Sequence, residues 1–374
     1  GEALLGRHGT VQAACAERRF STGHGPTLLR LEYSAGTDTM SSRGPPWVVK
    51  SGDAAEARVD GTWQPGVLSA VRDGAADFRQ ANGVCWEGVP LSNLRPWPER
   101  FLVKPDCVAN DAAVVALFRL FNYLWRYSFI PAEHKPCALD FEVLPAGPNF
   151  GFLEFVENST PAHEFHWDRL LECNERQLQV FLRTAAGSIV AGHVLGIGDR
   201  HQDNILLRST ELPDVGPCVQ FFQVDFKHCL GKYTRIDAPS IAIPNGMKVL
   251  LQHMAAVPLH RKLSDRDNGE PRAPSPEEVL VTTSNRWTEL KALCGMAFRV
   301  LRRSNGFIIH LCRLLMRSPD MSPEAIEAFL TGSLQLSCKE DEAVENLCKQ
   351  IEESPHLLAK KVKDLSHSVS GMLH

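Results

Sequence analysis

Gly196-Ile197-Gly198-Asp199-Arg200-His201-Gln202-Asp203-Asn204-Ile205-Leu206-Leu207 encloses a polar cluster between apolar residues, and Gln223-Val224-Asp225-Phe226 brings a further carboxylate 21 residues after Asn204. Metal-assisted phosphoryl transfer needs hard oxygen ligands for a divalent cation, a group beside the attacking hydroxyl, and positive charge around the phosphates. Asn204 and Asp225 offer oxygen ligands of the kind magnesium takes, its other positions being filled by water and phosphate. His201 is the natural proton acceptor, because its unperturbed pKa lies nearest neutrality. Asp199 is placed to orient that ring and stabilise its cationic form. A lone His is more often structural than catalytic, and an Asp-Phe pair alone means little; their conjunction at this spacing carries the reading.

Positioning these groups takes a helix before them and a strand on each side. Residues 176 to 195 have the apolar content of a long helix leading into the polar cluster. The 21-residue separation predicts two neighbouring strands joined through the Arg208 to Gln220 connection. Upstream, Thr27–Tyr33 reads as the first strand, residues 1 to 30 otherwise being low in pattern. Phe101–Lys104 and Phe150–Val156 read as further strands. Between the last two, Asn110 or Asp111 caps a helix running from Ala112 to about Tyr127, with Val114, Leu117, Phe118, Phe121, Leu124 and Trp125 at helical spacing. Past the Asp225 segment, residues 258 to 282 are charged and Pro-rich and predict a loop. Helices are expected over 286–302, 307–317, 323–334, 341–353 and 356–373. Leu357 to Leu365 is amphipathic and locally basic, which suits an interfacial helix and equally one packed on the protein.

From Val48 to Trp97 the texture changes to short strands split by Asp60-Gly61, Pro65-Gly66 and Asp73-Gly74, the pattern of a small antiparallel barrel. Gly52 to Arg58, Trp63 to Val67 and Glu87 to Pro90 resemble Tudor-like SH3-type barrels. Trp63, Phe78 and Trp86 either line a cage for a methylated cation on a protein ligand or, as is commoner, fill the barrel core.

The 374 residues, 44% hydrophobic, exceed one average domain. A net charge of -4 gives no nucleic-acid footprint, so no nucleic-acid partner is expected. Eleven cysteines without a CxxC pair read as buried thiols rather than a zinc site or disulfide framework. No apolar run approaches a membrane span. A first residue of Gly rather than Met reads as part of something longer.

Gly196–Leu207 with Val224-Asp225-Phe226-Lys227-His228-Cys229-Leu230-Gly231 resembles the catalytic and activation-loop segments of phosphoinositide 3-kinases, closest to class I and II, where Asp-Arg-His-x-x-Asn replaces the His-Arg-Asp order of protein kinases. The resemblance implies an α+β, two-lobed protein-kinase-like fold. A small mixed N-lobe would span 1–153, interrupted by the barrel at 48–97, and a helical C-lobe 154–374. It implies ATP and magnesium as cofactors. Met40 to Trp47 is similar to the family's phosphate-binding loop, placing Ser41, Ser42 and Arg43 on the phosphates with Lys104. Asp111 is similar to an acidic position of the nucleotide site and Phe141 to a pocket Tyr. Glu154, Phe155 and Val156 match the adenine hinge, and Leu206 and Val224 line the ATP site. Lys227, His228, Lys232 and Arg235 would read the lipid head group. So modest a basic set predicts phosphatidylinositol or a monophosphorylated form over the bisphosphate.

Two departures stand out: Lys227 where the family usually has Gly, narrowing the backbone choices beside Asp225, and Ala109-Asn110 where it has Arg-Gln. The implied activity is transfer of the ATP γ-phosphate to the inositol 3-hydroxyl by a cytoplasmic, peripherally membrane-associated enzyme. Implied partners are a phosphoinositide at a membrane surface and a regulatory protein subunit. The rivals are a weakly active or inactive kinase-fold scaffold and a related protein Ser/Thr kinase.

Overall fold

The computed structural model describes residues 11–19, 26–33, 54–59, 62–72, 74–79, 84–90, 94–96, 99–212, 214–231, 241–255, 285–316 and 321–354. Backbone contacts divide the chain into two compact units, 1–108 with 142–155, and 109–141 with 156–374. The fold is mixed α+β.

The first unit holds two antiparallel sheets. One runs in the order β1 (Val11–Arg19), β2 (Thr27–Tyr33), β8 (Glu99–Lys104), β10 (Phe150–Glu154), β9 (Val143–Gly147). β2 coincides with the strand expected from sequence. β1 is a strand where no pattern was read, because Val11–Arg19 has one β-branched residue and three alanines with a cysteine in its centre, a weak strand signal.

The second sheet uses only strands that lie between β2 and β8 in the chain: β6 (Cys85–Pro90), β5 (Ala75–Arg79), β4 (Thr62–Arg72), β3 (Ala54–Val59) and β7 (Leu94–Pro96), in that order. This corrects the expected barrel. Among the described residues no pairing joins β6 to β7, so the sheet is open. Alternation along β5 turns Ala76 and Phe78 inward, where they form a small core with Ala57, Leu68 and Val89. Phe78 is fully buried and packs on Trp86 at 5.9 Å, so it fills the core rather than walling a cage. The side chain of Trp63 lies outside the described residues.

In the second unit, α1 (Ala109–Arg126) begins three residues earlier than expected, so Asn110 and Asp111 sit inside its first turn rather than capping it. α2 (Glu175–Val194) is capped by Asn174, whose side chain accepts the Gln177 N–H while Gln177 returns a bond to the Asn174 N–H. Residues 184 to 198 are buried without interruption. A helix buried all round must settle its polar side chains internally. Thr184 Oγ1 accepts the Phe221 N–H at 3.0 Å, and Ser188 Oγ donates to the Phe221 carbonyl at 3.3 Å. Both bonds fasten α2 to β13 (Gly216–Gln223), which pairs with β12 (Ile205–Leu212), itself paired with the short β11 (Ser159–Pro161).

The remaining helices are α3 (Asn245–His253), α4 (Arg286–Arg303), α5 (Asn305–Leu315), α6 (Pro323–Ser333) and α7 (Glu340–Glu353). All but α3 follow the helical spacing read from sequence to within two residues. The expected 258–282 loop and 356–373 helix fall outside the described residues. Among the described residues no helix is long and apolar enough to cross a membrane.

Candidate active site

The polar cluster begins where α2 ends. Gly196 takes φ +54°, and a β-carbon there would lie 2.1 Å from the Phe329 ring of α6, so the turn needs glycine for conformation and for space. The chain then doubles back, with Ile197 N–H on the Gly192 carbonyl at 2.9 Å and Gly198 N–H on the His228 carbonyl at 2.8 Å. Ile205 faces Gln223 in the β12–β13 register, so Asn204 and Val224 leave the hairpin together, joined by a 3.1 Å bond from Val224 N–H to the Asn204 carbonyl. This places Asn204 and Asp225 at the open end of one hairpin, as their spacing predicted.

Arg200 fastens that end. It is 1% exposed, and its guanidinium donates to the carbonyls of Gly198 at 2.8 Å, Val224 at 2.7 Å and Asn204 at 3.4 Å, and to that of Asp225. Its charge also lies 5.8 Å from the Phe226 ring centre. One rigid fork thereby ties the cluster to the Asp225 segment, a task suited to five planar donors. Sequence reasoning gave Arg200 no part. The signal was available, since an Arg amid apolar flanks needs acceptors, but which carbonyls it meets depends on the hairpin.

Asp199 holds φ +58°, and its carbonyl accepts from the His201 N–H at 3.1 Å and from Asn204 Nδ2 at 3.0 Å. With its amide nitrogen so engaged, Asn204 offers Oδ1 as its ligand atom. His201 is buried, and its Nδ1 lies 3.3 Å from the Asp203 N–H and 3.5 Å from Asp203 Oδ2. The ring either accepts the backbone N–H at Nδ1 or gives a proton there to the carboxylate; only the second leaves Nε2 the lone pair of a base. A third member follows: Asp203 Oδ1 is 2.8 Å from His163 Nδ1. Ala162 N–H, bonded to the carbonyls of Gln202 and Ile205, continues β11 past β12 and brings His163 there. Nothing in the sequence marked His163, because only that strand pairing makes it a neighbour.

Asp225 also holds a left-handed φ, +60°. This conformation costs a non-glycine residue about 1–2 kcal/mol, less for Asp than for most. Lys227 is not among the left-handed positions, so the side chain that replaces the family's usual Gly demands no strained backbone there. Phe226 N–H donates to Asp111 Oδ1 at 2.9 Å, and Asn110 Nδ2 donates to the Lys227 carbonyl at 3.2 Å. Asp111 is fully buried. Phe226 is fully buried too, edge-on to Phe118 of α1 at 5.3 Å and stacked with Phe141 at 6.2 Å, so the expected pocket aromatic packs against Phe226.

The remaining site residues are distributed as follows. Leu206 and Val224 are half-buried on β12 and just past β13, and His228 lies beside Gly198. Val156 opens the second stretch of the second unit. In the first unit, Lys104 ends β8 opposite Gly151. Glu154 N–H donates to the Glu142 carbonyl at 2.8 Å, and Phe155 N–H to the Arg100 carbonyl at 3.0 Å. Ser41, Ser42, Arg43, Lys232 and Arg235 lie outside the described residues.

Among the described residues no three His, Cys, Asp or Glu side chains gather as a self-sufficient metal cage. Two hard donors at a hairpin end are instead the set that fits a magnesium ion retaining water and phosphate oxygens.

Residues 167–322 match the family model described as phosphatidylinositol 3- and 4-kinase, a span that contains the whole Gly196–Gly231 region. The chain is 24% identical over 291 residues to phosphatidylinositol 3-kinase 2 of Dictyostelium discoideum, covering 70% of this chain and 14% of the relative. It is 24% identical over 295 residues to phosphatidylinositol 3-kinase VPS34 of Saccharomyces cerevisiae, covering 74% and 29%. Against phosphatidylinositol 3-kinase VPS34 of Candida glabrata it is 24% identical over 284 residues, covering 71% and 27%. The chain therefore spans less than a third of the length of these relatives. The resemblance read from the Asp-Arg-His segment is borne out.

Proposed function

We propose that this chain, with a phosphatidylinositol 3- and 4-kinase catalytic region across residues 167–322, transfers the γ-phosphate of ATP to the inositol 3-hydroxyl of a phosphoinositide. The observation that carries the reading is the Arg200 fork, which binds the Asp199–Asn204 loop and the Asp225 backbone into one end of the β12–β13 hairpin. The relatives named phosphatidylinositol 3-kinase support the choice of hydroxyl.

His201 takes the proton from the attacking hydroxyl, with the Asp203 carboxylate beside Nδ1 to favour the cationic ring that results. Asp199 shapes the loop through its carbonyl. Asn204 Oδ1 and the Asp225 carboxylate hold magnesium, which when bound neutralises charge on the phosphates. Ser41, Ser42, Arg43 and Lys104 contact those phosphates. Glu154, Phe155 and Val156 form the adenine hinge, with Leu206 and Val224 against the nucleotide. Lys227, His228, Lys232 and Arg235 meet the head group, of phosphatidylinositol or its monophosphate. The enzyme works from the cytoplasm on a membrane surface, with a regulatory protein subunit as partner. The burial of Phe78 leaves a methylated-protein ligand without one of its three aromatics, and that ligand is not carried forward.

Incubation with radiolabelled ATP, phosphatidylinositol vesicles and a protein acceptor tests the proposal. Labelled lipid is expected. Label in protein alone indicates a protein kinase, and magnesium-dependent ATP binding without turnover indicates a scaffold.

A further inference from the structure

We infer that Asn110 and Asp111, in the first turn of α1, are positioning residues that latch the Asp225-Phe226-Lys227 backbone and so hold the Asp225 carboxylate in its working conformation. The inference rests on the reading of Asp225 as a ligand-bearing residue. One backbone group on each of three consecutive residues is gripped: the Asp225 carbonyl by Arg200, the Phe226 N–H by Asp111 Oδ1 at 2.9 Å, and the Lys227 carbonyl by Asn110 Nδ2 at 3.2 Å. The grip comes from two elements, the Asp199–Asn204 loop and α1. Between them the left-handed φ of +60° at Asp225 persists because its surroundings over-determine it.

Phe226 makes the latch rigid. Its ring is fully buried against Phe118, two turns along the same helix, so α1 holds the segment both by side-chain packing and by its first-turn hydrogen bonds. A displacement of α1 would pass to Asp225 through both. Burial of Asp111 fits a carboxylate that serves the protein's own backbone. The two departures noted in the sequence, Asn110 and Lys227, turn out to be bonded to each other.

Hydrogen exchange of the 224–230 segment, read by mass spectrometry on this chain without nucleotide or lipid, tests the latch apart from any activity. Asp111→Ala is expected to speed exchange at Phe226 at least tenfold. Asp111→Asn keeps an acceptor oxygen, at reduced strength, and should stay within a few-fold of the native protein. Asn110→Ala removes the outer bond alone and should speed exchange several-fold at an unchanged denaturation midpoint, which keeps the test informative if Asp111→Ala fails to fold. In ATP turnover the same variants should lose kcat in the same order with KM for ATP changed less than twofold. Unchanged exchange in Asn110→Ala and Asp111→Ala would overturn the latch. So would an Asp111→Asn protein as impaired as Asp111→Ala, since that pattern marks a role for the charge. A native protein that shows the exchange pattern but phosphorylates no lipid would overturn the proposed reaction and leave the latch standing.

Discussion

Replacing Arg200 should be among the costliest single changes near the site. The side chain is 1% exposed and donates to the carbonyls of Gly198, Asn204, Val224 and Asp225. Hydrogen bonds from a charged donor contribute about 1.5–3 kcal/mol each, but removing the guanidinium also removes the cost of burying its charge. Deleting the donors leaves the buried carbonyls without partners, at about 1–3 kcal/mol for each left unsatisfied. Arg200→Met keeps the length and the apolar stem while abolishing the donors, so a loss of about 3 kcal/mol is expected, the cost of one or two buried carbonyls left unsatisfied. Arg200→Lys should fare little better, because a single ammonium cannot reach carbonyls on both sides of the hairpin end. Urea unfolding followed by fluorescence gives the stability, and the slope should remain that of the native chain. Exchange at the Phe226 amide should rise in parallel, since the Asp225 backbone loses its anchor. A change in stability below about 0.5 kcal/mol, the level of an ordinary surface substitution, would refute the reasoning.

Gly196→Ala combines a left-handed φ of +54° with a β-carbon 2.1 Å from the Phe329 ring, and should destabilise by about 2–4 kcal/mol from backbone conformation and overpacking together. In thermal denaturation, adding Phe329→Ala should recover the steric part and leave the conformational part. Burial lowers the His193 imidazole from 6.5 to about 4, so it is neutral in the folded protein. Its folded pKa is below the unfolded one; the stability it confers is complete above pH 6.5 and drains away as pH falls toward about 4. That interval corresponds to about 3 kcal/mol. His193→Phe should flatten the dependence of the urea midpoint between pH 7 and 4.5.

The parts of the site legible from sequence were those fixed by local spacing. Asn204 and Asp225 could be placed at adjacent strand ends because a hairpin converts sequence separation directly into proximity. α2 and α4 to α7 were legible because apolar residues recur at helical spacing. α3 was not, since Asn245–His253 is short and carries Pro244 and Gly246 at its start. Closure of the second sheet into the expected barrel is not shown among the described residues, and short strands with Asp-Gly turns specify hairpins without specifying closure. His163 and Asn110 became part of the site only through tertiary pairing, β11 on β12 and α1 against the Asp225 segment, which no local pattern encodes. The left-handed residue of this segment, two places before Lys227, is Asp225, which the sequence comparison did not single out for its backbone.

The central claim is that Asp225, held at the hairpin end, supports transfer of phosphate to the inositol 3-hydroxyl. Labelled ATP, magnesium and phosphatidylinositol vesicles, followed by chromatographic assignment of the phosphorylated hydroxyl, test it most directly for the native chain and for Asp225→Ala. The native chain should yield the 3-phosphate and the variant at least a thousandfold less. Equal product from both proteins, or a native product phosphorylated at another hydroxyl, would contradict it.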